Sequence, residues 1–277
     1  MNTDLSIIVT SYKNPSVLRL CLESLKKNVL NENCEIMVLD SSTEEDTEMM
    51  MREEFSEIIF FSHKNNLGFA KLVNRGLKNA KGRYVLILNS DIIIEKRSAD
   101  ILLEQLKKDP SIGIIGPKLL NFDGKTQPSC FRFYSPFIIL YRRTSLGKFG
   151  FARKRIDNFL YKDKDLEKPQ EVDWIMGSAI MAPRKVIDEV GPMEENFGFM
   201  YFEDVDWCRR FWERNHRIVY FPGVKMFHYH GKGSVGRGAF KAVLLNRLTR
   251  EHIKSAIKYF WKYCRKTNPH REKINKR

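Results

Sequence analysis

The chain has 277 residues, 43% of them hydrophobic, and a formal net charge of +14, so it can bury the core of one large domain, and its basic excess indicates a polyanionic partner, an anionic membrane surface or a phosphate-bearing substrate. Its five cysteines are scattered without a C-x-x-C pair, which argues against a disulfide framework and a thiolate zinc site and fits a reducing cytosol. No apolar stretch approaches the roughly 18 residues of a membrane span, and no cleavable signal pattern opens the chain, so we expect a cytoplasmic protein.

Strand-like and helix-like segments alternate three times in the N-terminal third of the chain. Each strand is a short, continuously apolar run, which is typical of a strand buried on both faces of a parallel sheet. The predicted strands are Leu5–Val9, Glu35–Leu39, Ile58–Phe61 and Tyr84–Leu88, and the predicted helices begin near Pro15, Thr43 and Phe69. Thr43 with Asp46 has the spacing of a capping box. This order predicts a parallel, doubly wound α/β sheet, since β-α-β crossovers are right-handed.

Polar residues follow three of these strands at their carboxyl ends. Thr10 follows the first strand, Asp40 the second, and the segment Asn89-Ser90-Asp91 the fourth. Ligands of open α/β sheets bind at this edge, and a carboxylate such as Asp91 could hold a divalent metal through oxygen ligands. An Asx-type turn accounts for the same segment equally well, so the pattern alone leaves both interpretations open.

The middle of the chain is less regular. A helix at Ser98–Lys108 and a strand at Ile112–Ile115 continue the alternation, but residues 127–170 mix aromatic and basic side chains without clear periodicity. We predict an irregular, basic and mobile segment there. Regular structure returns with a strand at Trp174–Met181.

Two further segments could carry chemistry. The aromatic and acidic run Phe202-Glu203-Asp204-Val205-Asp206 leads into a helix, where acidic residues often do no more than stabilise the first turn. After closing strands, His228, His230 and Lys232 lie in a glycine-containing loop. Such a loop could bind a metal and a phosphate, with Lys232 supplying charge, or it could be flexible with incidental histidines.

Most of the excess charge lies in residues 240–277, which contain twelve Lys or Arg against two Glu. Apolar residues recur there at helical spacing between the basic ones, at Ile253, Ala256, Ile257, Phe260 and Trp261. A basic amphipathic helix with aromatics is typical of an interfacial membrane helix. Packing of the apolar stripe on the domain is an equal alternative, and both can hold at once.

Taken together, these segments resemble the family 2 inverting glycosyltransferases of the GT-A, or nucleotide-diphospho-sugar transferase, fold, and in particular the bacterial rhamnosyltransferases that build surface polysaccharides. The matching segments, in the family's order, are Ile7–Tyr12, Val38–Thr43, Asn66–Ala70, Asn74–Gly76, Leu88–Asp91, Trp174–Ser178, Phe202–Asp206, and His228 with Gly231 and Ser234. Each segment is weakly specific, but the ordered set is strong and spans nearly the whole chain. The resemblance implies a Rossmann-like, mostly parallel sheet with helices on both faces, followed by the C-terminal amphipathic helix.

The resemblance also implies a binding site for the donor nucleoside. Asp40 would accept a hydrogen bond from the imide N–H of uracil or thymine. Thr10 and Tyr12 would line the same base pocket, and Asn66 and Gly68 would shape the floor beneath the nucleoside. The implied partner is therefore a dTDP- or UDP-sugar.

The implied diphosphate site depends on a divalent cofactor, Mg²⁺ or Mn²⁺. Asp91 would end the family's D-x-D motif and hold the metal, with His228 as a second ligand. Asn89 replaces the first aspartate of that motif, which leaves less negative charge on the metal, and would contribute to donor binding. Trp174 and Gly177 would border the sugar and the acceptor.

The implied reaction needs one base, and Asp204 would take the proton from the acceptor hydroxyl. We also hypothesise that the charge of Glu203 raises the pKa of Asp204. The Q-x-x-R-W signature of processive synthases is absent from the sequence. We therefore predict addition of a single sugar, with rhamnose from dTDP-rhamnose as the first choice and a glycan or lipid-linked acceptor.

The predicted organisation is a glycosyltransferase domain over residues 1–239 and a basic helix and tail over 240–277. Within the domain, 1–116 would bind the nucleotide, and 117–239 would bind the acceptor and contain the irregular segment. We expect the protein in the cytoplasm, with a peripheral site on the inner face of the plasma membrane as one possibility.

Three other functions compete with this one. A sugar nucleotidyltransferase would need a glycine-rich loop after the first strand, and Thr10–Pro15 contains no glycine. A non-catalytic glycan- or nucleotide-sugar-binding relative is disfavoured because Asp91, Asp204 and His228 are all present. Charge alone would allow nucleic-acid binding, but no such motif occurs, and we expect no nucleic-acid partner.

Overall fold

A ten-stranded mixed sheet organises the protein, which the computed structural model describes over residues 3–29, 33–229 and 247–275. The strands are β1 (Leu5–Tyr12), β2 (Cys34–Ser41), β3 (Ile59–His63), β4 (Tyr84–Asn89), β5 (Ile92–Ile94), β6 (Ile112–Leu120), β7 (Thr126–Gln127), β8 (Cys130–Phe131), β9 (Gln170–Glu171), β10 (Trp174–Ile175), β11 (Ala179–Pro183) and β12 (Arg217–His228). The helices are α1 (Pro15–Asn28), α2 (Glu45–Glu54), α3 (Phe69–Asn79), α4 (Ser98–Lys108), α5 (Pro136–Arg143), α6 (Gly150–Phe159), α7 (Arg184–Val190), α8 (Glu203–Glu213), α9 (Arg247–Lys262) and α10 (Pro269–Asn275). The strand order is β3-β2-β1-β4-β11-β6-β12-β5, with β7 on β6 and β9 on β12, while β8 and β10 form a separate pair.

The N-terminal half confirms the predicted doubly wound arrangement. Strands β3, β2, β1 and β4 are parallel neighbours. Alternate residues of β4 point to opposite faces, since Val85 and Ile87 join one buried cluster and Leu86 and Leu88 join the other. Helices α1, α2 and α4 supply the second cluster, and α3, α7 and α8 supply the first. An apolar core therefore covers both faces and leaves only the strand ends for polar side chains.

Beyond β4 the sheet is mixed, which agrees with the predicted, mostly parallel sheet. Strand β11 runs antiparallel to β4 and to β6, whereas β6 and β12 are parallel. The predicted single strand Trp174–Met181 is two strands, β10 in the small pair and β11 in the main sheet. Hydrophobic periodicity reports burial but not strand direction, and for that reason it could not show this reversal.

The basic segment 127–170 is more ordered than the sequence predicted. It contains α5, α6 and a 3₁₀ turn at Ser145–Lys148, and it buries Ala152, Phe159 and Tyr161. Helical periodicity is obscured because other aromatic side chains of the segment, such as Phe149 and Phe151, are exposed. The apolar residues therefore occupy more than one face of each helix.

The predicted capping box at Thr43 is wrong. Glu44 is the N-cap of α2 and makes no side-chain capping hydrogen bond. The Thr43 hydroxyl donates instead to the Asp40 carbonyl (3.2 Å) and accepts from the His63 backbone N–H (3.0 Å). It thereby ties the end of β2 to the end of β3, beside the predicted base pocket.

The C-terminal helices pack on the domain, one of the two predicted alternatives. Helix α9 buries Ala256 and Tyr259, and Tyr263 just beyond it is also buried. Residues 240–246 lie outside the described residues. No helix in the described part of the chain combines the length and apolarity needed to cross a bilayer.

Candidate active site

The carboxyl edge of β1, β2 and β4, hereafter the sheet edge, brings the first predicted site residues together. Register places Thr10 opposite Asn89, and Ser11 opposite Asp40. The Thr10 hydroxyl lies 3.2 Å from Asn89 Oδ1 and donates to it. Tyr12, at the end of β1, is half exposed (49%), so its ring is accessible beside this edge.

Asp40 is buried without a partner. It is 1% exposed, and neither carboxylate oxygen has a hydrogen-bond partner among the described residues. The neighbouring Ser11 hydroxyl is also buried and unpartnered. Burial raises the pKa of Asp40 above its usual range, because a charged carboxylate loses its hydration there. The nearby Ser11 and Thr43 hydroxyls and the Ser41 N–H oppose that rise only in part, without making a well-formed hydrogen bond to the carboxylate. Such a group is stabilised by a ligand that donates a hydrogen bond.

Asp91 and His228 lie side by side at the same edge. Strand β12 pairs antiparallel with β5 so that His228 is opposite Ile92, and His228 Nε2 is 3.3 Å from Asp91 Oδ1. On its other side the ring contacts Gln127, with Nδ1 2.9 Å from Oε1. With the amide oxygen of Gln127 as its partner, Nδ1 carries a proton, and in the neutral ring the Nε2 lone pair is then directed toward the carboxylate.

This arrangement fits a divalent metal. Asp91 Oδ1 is buried and has no hydrogen-bond partner in the described part of the chain, and it faces a second electron-pair donor. A neutral imidazole nitrogen and a carboxylate oxygen in contact repel each other unless a proton or a metal cation lies between them, and a bound divalent cation would take the place of the proton. Oxygen and imidazole ligands suit Mn²⁺, and oxygen ligands suit Mg²⁺. The described residues contain no cluster of three or more His, Cys, Asp or Glu side chains around one point, so donor oxygens would have to complete the coordination.

Asn66 and Gly68 shape the loop before α3. Asn66 Oδ1 accepts from the Gly68 N–H (2.9 Å) in an Asx turn, and Gly68 has φ of +82°. A Cβ on Gly68 would lie 2.8 Å from Phe199 Cα, and the next N–H, of Phe69, donates to the Phe199 carbonyl (2.9 Å). Gly68 therefore fastens this loop to the segment that precedes α8, whereas Asn66 is exposed.

Asp204 lies in the first turn of α8 and is held by two backbone donors. The Gly177 N–H donates to Oδ2 (3.0 Å) and the Val205 N–H to Oδ1 (2.8 Å). A Cβ on Gly177 would approach the Phe69 ring to 2.9 Å, so a larger residue would displace this donor. The residue is partly exposed, and its carboxylate faces the turn between β10 and β11 that contains Gly177.

The pKa shifts of Glu203 and Asp204 differ from the hypothesis that the charge of Glu203 raises the pKa of Asp204. Burial raises the pKa of Asp204, and the two backbone donors oppose that rise. Burial, followed by the charge of Asp204, raises the pKa of Glu203 to about 8. Glu203 is 5% exposed, and its Oε2 has no described hydrogen-bond partner. Glu203 is therefore the more readily protonated member of the pair, and burial is the main cause of the raised pKa of Asp204.

Trp174 lies in an aromatic core. It is 5% exposed, its ring stacks on Phe131 (4.5 Å between centroids) and Tyr134 (5.6 Å), and its indole N–H donates to the Arg132 carbonyl (2.9 Å). Its observed contacts are those of a packing residue. Tyr134 also packs against Phe202 (4.9 Å), so Trp174 supports the segment before Asp204 from behind.

The residues just before Asp204 have strained backbones. Tyr201 and Phe202 have φ of +83° and +74°, a region that bulky residues rarely adopt. Packing compensates the strain, because the His252 ring of α9 lies 4.5 Å from Tyr201 and Tyr259 lies 5.1 Å from Phe202. The C-terminal helix therefore helps to hold the start of α8.

Lys232 and His230, predicted to serve the phosphate and metal, lie outside the described residues. Two participants that sequence reasoning missed are Gln127, which orients His228, and Ser178, whose buried hydroxyl is unpartnered and whose carbonyl accepts the Asn89 N–H (2.9 Å). Ser178 ends the matching segment Trp174–Ser178, but the resemblance implied no role for it, whereas Gln127 stands in no motif and reaches the site through the pairing of β7 with β6.

Comparison with curated proteins finds relatives that assemble glycans. The N-acetylglucosaminyl-diphospho-decaprenol L-rhamnosyltransferase of Mycobacterium tuberculosis is 25% identical over 249 residues, which cover 86% of this chain and 79% of that protein. The poly-beta-1,6-N-acetyl-D-glucosamine synthase of Staphylococcus aureus is 30% identical over 107 residues, which cover 36% of this chain and 26% of that protein.

Solved structures share the fold. GalNAc-T7 with UDP, GalNAc and Mn²⁺ superposes with a TM-score of 0.60 at 14% identity, over 81% of this chain and 43% of that one. A mannosyltransferase from Pyrobaculum calidifontis with GDP-Man and Mn²⁺ gives 0.57 at 16% identity, over 92% and 64%. The chain thus spans less than two thirds of either structure, and the likeness confirms the predicted GT-A fold.

The family follows from the match to a family profile. The profile described as Glycosyl transferase family 2 matches residues 6–191, which include β1 to β4, the sheet edge and the Gly177 turn. The chain belongs to glycosyl transferase family 2.

Proposed function

We propose that this glycosyltransferase is inverting and non-processive, and that it moves one sugar from a nucleoside-diphosphate donor to a hydroxyl of a lipid-linked glycan, with rhamnose from dTDP-rhamnose as the first candidate. The observation that carries the proposal is the group of buried, unpartnered carboxylate oxygens at the sheet edge, on Asp40 and Asp91. A stable fold rarely leaves such atoms unmet, and a nucleotide with its metal supplies what each of them lacks.

Each part of the donor would meet its own residues. The imide N–H of uracil or thymine would donate to Asp40, with Thr10 and Tyr12 beside the base. Asp91 and His228 would hold Mg²⁺ or Mn²⁺, which when bound neutralises the charge that develops on the departing diphosphate. The two solved structures that carry Mn²⁺ with a nucleotide or nucleotide sugar support this assignment by analogy of fold.

Asp204 is the proposed general base. As the acceptor oxygen forms its bond to the anomeric carbon, the bond from that carbon to the diphosphate oxygen breaks, and Asp204 takes the hydroxyl proton. The N–H donors of Gly177 and Val205 orient the carboxylate and favour its ionised form, while protonated Glu203 adds no competing charge. One displacement on the face opposite the leaving group inverts the anomeric carbon.

A cavity near α8 supports an acceptor that carries phosphate. It has a volume of about 290 Å³ and is lined by the basic residues Arg132, Arg209, Lys266 and Arg271 and by one acidic residue, Asp173, which is hydrogen-bonded to His270. Tyr134 also lines it and packs on Phe202, which precedes Glu203 and Asp204. The mycobacterial relative is named for a diphospho-decaprenol acceptor. We propose that this chain likewise works on a lipid-linked acceptor, as a cytoplasmic protein at the inner face of the membrane.

The experiment is a matrix of dTDP- and UDP-sugars against a polyprenyl-diphosphate N-acetylglucosamine acceptor, with Mn²⁺, Mg²⁺ or chelator. We expect transfer from one donor, loss of activity with chelator, and a loss of roughly 10³-fold in Asp91→Asn at an unchanged melting temperature. The surface variant Asp188→Asn, whose side chain is 60% exposed, should keep normal turnover. Nucleotide-sugar binding without transfer to any acceptor would favour the non-catalytic alternative, and an Asp91→Asn variant of normal activity would refute the proposed site.

A further inference from the structure

The surface of α5 and α6 exposes an unusual number of large apolar side chains. Phe137 is 55% exposed, Leu140 45%, Leu146 38%, Phe149 56% and Phe151 61%. We call these five residues the α5–α6 patch. They come from only fifteen consecutive positions (137–151). Exposed apolar residues are ordinarily scattered singly, whereas a contiguous group marks an interaction surface.

The three aromatic residues of the patch are contiguous in space as well as close in sequence. Phe137 stacks on Tyr141 (6.3 Å between centroids), Tyr141 meets Phe151 edge-on (5.9 Å), and Phe151 stacks on Phe149 (6.2 Å). Tyr141 is itself buried (8% exposed), so one anchored ring supports three exposed ones. The aromatic rings are therefore held outward on a packed base and are not a collapsed loop.

The charged side chains within residues 136–155 are all basic, and the acidic residue of α6 beyond them, Asp157, is paired with Lys162. Residues 136–155 contain six basic residues and no acidic one. The Arg155 guanidinium lies 5.8 Å from the centre of the exposed Phe137 ring, so cationic and aromatic groups are interleaved. At eight and ten residues, α5 and α6 are far shorter than the roughly 20 residues that cross a bilayer.

We propose that the α5–α6 patch docks on an anionic lipid bilayer, with its aromatic and leucine side chains among the headgroups and its basic residues on the lipid phosphates. Short amphipathic elements that combine Phe or Leu with Lys and Arg bind membrane interfaces in this way, and each basic residue near the surface adds attraction to anionic lipid. The complementary charge favours lipid over a second copy of this basic chain. The inference extends the proposed function, whose lipid-linked acceptor explains why the enzyme would dock there.

The test is co-sedimentation of the full chain with vesicles of phosphatidylcholine alone or with phosphatidylglycerol, without donor, acceptor or metal. We expect binding to the anionic vesicles that weakens with salt, and a loss of roughly tenfold or more in partitioning for Phe149→Ser/Phe151→Ser. The matched control is Ile257→Ser/Trp261→Ser, which removes two exposed apolar side chains of α9 (64% and 82% exposed) and should bind within about twofold of wild type. Circular dichroism and the melting temperature establish that both variants are folded.

Four results would overturn the inference. They are a wild-type chain that stays in the supernatant with anionic vesicles, a patch variant that binds as well as wild type, a control that loses as much binding as the patch variant, and a lipid-free oligomer that the patch variant dissociates, which would assign the patch to a second copy. Because vesicle binding is read without catalysis, failure of the proposed function appears separately, as absent sugar transfer in a chain that still sediments.

Discussion

The sheet edge and the junction with the C-terminal helices both bury carboxylates, but they treat them oppositely. Asp40 and Asp91 at the sheet edge have buried oxygens without described hydrogen-bond partners. At the junction, Asp206 is 0% exposed and accepts from Arg210 (2.9 Å), Lys262 (2.6 Å) and Tyr263 (2.7 Å). At the sheet edge, carboxylate oxygens lack hydrogen-bond donors, whereas at the junction the carboxylate of Asp206 accepts hydrogen bonds from three side chains.

The pKa directions express this difference. Burial raises the pKa of Asp40. Burial alone would also raise the pKa of Asp173 at the junction, but hydrogen bonds from His270 and the Phe133 N–H outweigh it and hold the pKa below the usual range. Carboxylates with a full set of hydrogen bonds hold α8 against the C-terminal helices. Carboxylates without hydrogen-bond donors indicate where a ligand would bind. The predictions below test this division.

The largest expected effect is on catalysis at Asp204, where the carboxylate has backbone donors yet remains partly exposed. Asp204→Asn keeps the shape of the side chain but cannot accept the acceptor proton. We expect kcat to fall by roughly 10³-fold or more, with donor affinity within about twofold of wild type because Asp204 is not a proposed donor ligand. Steady-state kinetics and nucleotide binding measure the two quantities. Equal losses in affinity and turnover would instead assign Asp204 to donor binding.

The next effect is on stability at the junction. Asp206→Asn removes the buried anion that the partly exposed Arg210 and Lys262 contact, and we expect the lost charged hydrogen bonds to lower the free energy of unfolding by about 3 kcal/mol. Glu104→Gln is the control, since its ion pair with Arg97 is exposed and should contribute less than about 1 kcal/mol. Denaturant titration compares them. Equal small losses in both variants would contradict the idea that carboxylates with a full set of hydrogen bonds hold this region together.

A third effect depends on pH and concerns Glu203. Its folded pKa of about 8 lies above its unfolded value, so the folded state binds the extra proton and loses stability as pH rises toward 8. Glu203→Gln mimics the protonated acid. We expect its stability advantage over wild type to be near zero at about pH 5 and to reach on the order of 2 kcal/mol above about pH 8. Thermal melts across this range measure it.

The same variant separates two explanations of the Asp204 pKa. Since burial is the main cause of its raised value, the pH–rate profile of Glu203→Gln should keep the wild-type acidic limb. A shift of that limb by about one pH unit or more would restore the like-charge hypothesis.

The smallest effect concerns Asp40, where we expect one substitution to raise stability and lower nucleotide affinity. The folded pKa of Asp40 is raised, so keeping it ionised costs stability at neutral pH, and the cost declines as pH falls through that pKa. Asp40→Asn should therefore gain about 1 kcal/mol at about pH 7 and less near pH 4, while nucleotide affinity falls about tenfold as the hydrogen-bond acceptor for the base imide is lost. Asp123→Asn, on the exposed Asp123–Lys125 pair, should change neither. A destabilised Asp40→Asn would show that the unmet carboxylate has a structural partner.

Much of the N-terminal half of the fold could be predicted, because the positions of its strands are encoded in short stretches of sequence. A short apolar run that ends in Thr10, Asp40 or Asn89 predicts both a buried strand and the residue at which the strand ends. Because these strands are parallel, their carboxyl ends lie at one edge of the sheet. The resemblance added Asp204 and His228, which stand far from that edge in sequence. The order of the 127–170 segment was missed because exposed aromatic residues hide helical periodicity, and the antiparallel direction of β11 could not be predicted because burial does not encode direction.

By itself, the sequence determined the alternation of elements, the ends of the first strands and the family. Only the tertiary structure decided which carboxylates are met and which are not, because hydrogen-bond partners come from distant positions. His228 is oriented by Gln127 (2.9 Å), 101 positions away, and Asp204 by the Gly177 N–H (3.0 Å), 27 away. The tertiary structure also changed the interpretation of Glu203, whose own pKa is raised. A pKa depends on burial and neighbouring charges, and these exist only after the chain has folded.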